Sequence, residues 1–134
     1  MSLLLLDTTF LIDAERGTAE LDELIGDDDD VAIAAITLAE LAVGVQLATK
    51  RQRPRRQSYL DEIAASVPIL PYDQAVARHH ASLLVAVRRA GRPRGAHDLV
   101  IAATAAAAGR TVVSADRRAF EGLPGVNAVD HRTT

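Results

Sequence analysis

Apolar positions fall in short continuous runs separated by longer amphipathic stretches. Leu3 to Leu6 is such a run and stops at Asp7-Thr8-Thr9, the pattern of a strand buried on both faces and followed by a helix beginning near Thr8. Val31 to Ile36 repeats it, with Thr37 behind. Val67 to Leu70, Thr111 to Val113 and Val126 to Val129 are shorter candidates, and Pro68 suits an edge or the start of a strand. Helical spacing predicts helices over Thr8 to Glu15, Thr18 to Ile25, Leu38 to Ala48, Arg55 to Ala65, Asp73 to Ala90 and His97 to Ala108. Gly91 and Gly109 stand where C-terminal caps belong. Strands alternating with helices imply an α/β chain with a mainly parallel central sheet and helices on both faces. In such sheets ligands gather beyond the carboxyl ends of the strands.

That last rule draws attention to the acids. Asp7 follows the first strand, Glu40 follows the second by a few residues, and Asp116 follows the Thr111 strand in Ser114-Ala115-Asp116. Asp98 opens the alanine-rich helix. Each has an ordinary explanation. Asp7 and Asp116 can cap the helices that follow, Glu40 stands three residues after Thr37 as in a capping box, and Asp98 can oppose a helix dipole. Taken together, four carboxylates converging at one sheet edge would not all stay ionised without a cation. A magnesium or manganese ion takes oxygen ligands and can acidify a water for phosphodiester hydrolysis.

Composition narrows the field. With 134 residues, 49% of them hydrophobic, the chain suits one domain with a real core. It has no cysteine, which leaves oxygen or imidazole ligands for any metal. The net charge of −3 hides Asp27 to Asp30 at one place and Lys50 to Arg56 at another, the second read as a solvated helix end or loop, with a phosphate-tracking surface as the alternative. The apolar opening run is too short for a signal-peptide core, and Leu99 to Ala108 is too short to span a bilayer, so a soluble cytoplasmic protein with no membrane partner is expected. A phosphatase of the haloacid dehalogenase kind wants a second acid where Thr9 stands, and a receiver domain wants a lysine near the end of the sheet, whereas the sole lysine is Lys50.

Four segments in order carry a resemblance. They are Leu4 to Ile12 with its Asp-Thr-Thr, Ile36 to Leu41 with Thr-Leu-Ala-Glu, Asp98 to Ala105, and Ser114 to Phe120 with Ser-Ala-Asp. In these the chain resembles, end to end over 1–134 as one domain, the PIN-domain nucleases and their VapC-type toxins. The resemblance implies a three-layer α/β/α fold and a magnesium- or manganese-dependent endoribonuclease. It also implies a homodimer held in check by a small antitoxin. By position, Asp7, Glu40, Asp98 and Asp116 would hold the metal. Thr9 and Ser114 would support it through hydrogen bonds to a ligand or to water on the metal. Thr9 replaces the family's usual Asn or Ser, and Ala119 stands where many members carry a further acid. Arg92 and Arg94, in the loop before Asp98, are candidates for RNA phosphate, while His97 reads as a surface residue. The rival from another class is a catalytically silent module that keeps its acids only as caps and binds a partner protein.

Overall fold

A computed structural model describes residues 2–17 and 26–130. The described elements run β1 (Leu3–Leu6), α1 (Thr8–Glu15), β2 (Asp30–Ala34), α2 (Ala35–Gln46), α3 (Arg53–Ser66), β3 (Ile69–Leu70), α4 (Gln74–Ala90), α5 (Ala96–Ala108), β4 (Thr111–Ser114), α6 (Arg117–Phe120) and β5 (Ala128–Asp130). The helix expected over Thr18 to Ile25 lies outside the described residues. The strands pair in the order β3-β2-β1-β4-β5, and every pairing is parallel. The apolar run that ends at Asp7 is thus the central strand.

Alternation along the strands divides the core into two halves, as the period of two requires. Leu5, Ala32, Ala34 and Val112 face α4, α5 and α6, where Val76, Leu83, Ile101, Ala102 and Phe120 are buried. Leu4, Leu6, Ile33 and Val113 face the other way, onto Phe10, Leu11 and Leu41, with Leu60 and Ile63 of α3 packed outside them. This is the three-layer α/β/α arrangement. The alanines of α5 allow close approach: Ala102, Ala103 and Ala105 are all fully buried. Gly91 and Gly109 adopt the left-handed conformation at φ 64° and 65° and close α4 and α5 as expected. At the amino edge, Arg110 ties β1 to β2, donating to Leu4 O (3.1 Å) and Asp30 O (2.9 Å) and pairing with the Asp30 carboxylate at 2.8 Å.

The boundary between β2 and α2 departs from the expectation of a strand to Ile36. β3 is two residues long and pairs with Ile33 and Ala34. Beyond Ala34 the strand has no neighbour to complete its ladder, so the chain turns helical at Ala35. Ile36 and Thr37 are β-branched and favour a strand locally, but tertiary context overrides that preference. The basic stretch is also more than a solvated helix end. Arg53 and Arg56 donate to Ala48 O (3.1 Å) and Gly44 O (3.2 Å), satisfying carbonyls near the end of α2. No helix among the described residues is long and apolar enough to cross a membrane.

Candidate active site

Asp7 leaves β1 at the carboxyl edge, and its N–H still reaches Val113 O at 3.0 Å. The side chain is 2% exposed and heavily hydrogen-bonded. Its Oδ1 accepts from Thr9 N at 2.6 Å, Thr9 Oγ1 at 2.7 Å and Phe10 N at 3.3 Å. Its Oδ2 accepts from Ser114 Oγ at 2.7 Å. Asp7 is therefore the N-cap of α1, as an Asp after a strand often is. Capping occupies mainly one oxygen and leaves the other facing β4. Thr9 and Ser114 are themselves fixed from the backbone: Ala115 N donates to Thr9 Oγ1 at 2.9 Å, and Asp116 N to Ser114 Oγ at 2.8 Å. The three expected polar residues Asp7, Thr9 and Ser114 thus form one network whose hydroxyls orient a carboxylate.

Glu40 is not part of a capping box. With α2 beginning at Ala35, its N-cap is Ala34, and Thr37 is the third helical residue, fully buried and with no partner for its hydroxyl among the described residues. Glu40 lies a further turn along, beyond reach of the N-cap amide. Its Oε1 instead accepts from Thr8 Oγ1 at 2.9 Å, and its Oε2 lies 3.6 Å from His97 Nδ1. Thr8 and His97 are site neighbours that sequence reasoning passed over. The signal available was position: each adjoins an acid already singled out, Asp7 and Asp98.

Asp98 stands in the first turn of α5, whose N-cap Gly95 offers no side chain. A helix N-terminus favours a carboxylate, yet burial pushes the Asp98 pKa above its ordinary value, helped by the charges of Asp7, Asp116 and Glu40, with His97 opposing. Desolvation and like charge thus outweigh the dipole. Asp98 takes no hydrogen bond and no ion pair from any described residue. Asp116 is an exposed N-cap of α6, accepting from Ala119 N at 3.3 Å. None of the four acids is paired with an arginine or lysine among the described residues.

A hard divalent cation fits this donor set. All four groups are carboxylates, no arginine or lysine among the described residues pairs with them, and Asp98 takes no hydrogen bond from any described residue. Among the described residues no three acids or histidines form a cage ready to enclose an ion.

The two arginines expected near RNA part company. Arg94 is half-buried and tied to the backbone: its guanidinium donates to Ala119 O at 3.1 Å and to Glu121 O. Arg92 is exposed and stands by a hollow lined by Ala86, Val87, Leu123 and Pro124, with no acid on its wall.

Known proteins agree with this architecture. The chain matches the PIN domain over residues 4–125. It is 38% identical over 126 residues to Ribonuclease VapC5 of Mycobacterium tuberculosis, covering 93% of this chain and 90% of that protein. It is 33% identical over 101 residues to the tRNA(fMet)-specific endonuclease VapC of Shigella flexneri, covering 75% of this chain and 74% of that one. The crystal structure of VapBC-5 from M. tuberculosis, a member of the VapBC family of toxin-antitoxin systems, is similar with a TM-score of 0.81 at 34% identity, covering 97% of this chain and 99% of that chain. From a parallel sheet with acids at its carboxyl edge and from relatives matched over nearly the whole sequence, the chain belongs to the PIN-domain family, in its VapC-type ribonuclease branch.

Proposed function

We propose that this chain is the toxin of a toxin-antitoxin pair, a magnesium- or manganese-dependent endoribonuclease whose metal is held by Asp7, Glu40, Asp98 and Asp116. The observation that carries this is Asp98, a half-buried carboxyl that takes no hydrogen bond from any described residue and stands within the fields of Asp7, Asp116 and Glu40. A metal bound there would supply a polarised water and charge stabilisation for phosphodiester hydrolysis. The protein's own part is orientation. Thr9 and Ser114 hold Asp7, Thr8 holds Glu40, and the turn of α6 holds Asp116. A silent module would need the acids only as caps, yet Glu40 and Asp98 cap nothing by their side chains.

The antitoxin suits the cleft between α1, α2 and α3. Ile12, Leu41, Val45 and Leu60 give it apolar walls, Arg55 and Arg56 lie along it, and it shares Glu40 with the acid cluster. An amphipathic helix would bury its apolar face there and reach the acids with a basic side chain, competing with metal. The protein is taken to act in the cytoplasm as a homodimer on structured cellular RNA, with Arg92 near the strand's path. Induction in cells followed by sequencing of new RNA 5′ ends tests the activity. Discrete cut sites that vanish in Asp7→Asn are expected, and an unchanged set of ends on inducing the wild type would contradict it.

A further inference from the structure

We propose that Arg94 and Gly95 are positioning residues that set the gap between Asp98 and Asp116. Arg94 locks the loop before α5 onto the carbonyl end of α6, and Gly95 leaves the space in which the Asp98 carboxyl stands. The inference rests on reading those two acids as metal holders. α6 is a single turn with Asp116 at one end. Ala119 within it donates its N–H to Asp116 Oδ1 at 3.3 Å and offers its carbonyl to Arg94 Nη1 at 3.1 Å. One buried residue thus joins the acid to the arginine. The second arm of the guanidinium takes Glu121 O, just past the helix. A guanidinium can hold two carbonyls at once in a fixed fork, whereas an ammonium is a single point of attachment.

Gly95 follows Arg94 directly and opens the helix that carries Asp98. Its backbone, at φ −58° and ψ 140°, suits any residue, so conformation does not require glycine there. A Cβ there would stand 2.7 Å from Asp98 Oδ2 and 3.4 Å from its Cγ, so a side chain at 95 turns the carboxyl aside, at little cost to the fold because Oδ2 is the free end of its side chain. The loop therefore fixes Asp98 from two directions, by an anchor at residue 94 and a clearance at residue 95.

The test is manganese binding to the full chain, read by electron paramagnetic resonance alongside thermal melts, for wild type, Arg94→Ala, Arg94→Lys, Gly95→Ala and Asp98→Asn. Outer residues that orient metal ligands typically change metal affinity by about 10- to 100-fold. A weakening of that size is expected in Arg94→Ala and Gly95→Ala with the melting temperature of Gly95→Ala unchanged. Lysine should not rescue position 94, and the salt dependence of RNA cleavage should stay that of wild type, which a phosphate contact would not leave alone. If Arg94→Ala and Gly95→Ala bind manganese like wild type while Asp98→Asn does not, the positioning role is wrong and the metal site stands. If Asp98→Asn also binds like wild type, both fall. Full rescue by Arg94→Lys would make Arg94 a charge and overturn the anchor.

Discussion

Asp7 shows why a residue's ordinary role and its special one need not compete. It caps α1 through Oδ1 while Ser114 holds Oδ2 toward β4. Asp7→Asn should therefore lose activity while keeping much of the cap, because an asparagine oxygen still accepts from the Thr9 and Phe10 amides. Asp98 gives a prediction with a sign. Its pKa is raised, so the folded chain binds the proton more tightly than the unfolded one. Its favourable contribution is full below the ordinary aspartate range and is lost as pH rises through the raised folded value. Asp98→Asn should then melt above wild type at neutral pH in EDTA, with the difference narrowing as the solution is acidified. Equal melting at every pH would mean that Asp98 is not under strain from its neighbours. The positions of Asp7, Asp98 and Asp116 were legible in the sequence because each follows a strand or opens a helix, whereas Glu40 lies inside α2. His97 and Thr8 were not, since their link to Glu40 spans 57 and 32 positions and is made only by the fold.

Between elements, boundaries were the weaker part of the sequence signal. Local spacing gave α1 its limits, but the end of β2 depends on how far β3 reaches alongside it, which no window along the chain contains. The capping-box motif at Thr37 and Glu40 was misleading for the same reason. A helix that starts two residues earlier than Thr37 removes the cap and frees the glutamate. α3 offers a further test because none of its residues is buried, so discrete contacts matter to its docking. Tyr59 Oη donates to Leu11 O at 2.7 Å, and burial, with Glu15 and Glu62 nearby, pushes its pKa up to about 12. Tyr59→Phe should cost about 0.5–1.5 kcal/mol, the usual net value of one hydrogen bond. Urea unfolding of both proteins measures it. An unchanged midpoint would show that α3 is held by packing alone.

Across the whole molecule, the parallel winding of the sheet was more legible than the lengths of its strands. Right-handed crossovers and short loops leave few ways to wind alternating strands and helices, and all of them put strand ends on one edge. The chemistry could then be read from which residues stand at that edge. Which RNA is cut is not written there, because selectivity lies in the surface around the acids and in RNA shape. The central claim is that the four carboxylates serve a metal, Asp7 and Asp116 capping their helices as well. It is tested most directly by cleavage of a labelled RNA by wild type and Glu40→Gln across a magnesium and manganese titration, with EDTA as the metal-free limit. Wild type should cut only with metal, and Glu40→Gln should lose activity by orders of magnitude and recover in part with excess manganese. Full activity of both proteins in EDTA would contradict the account.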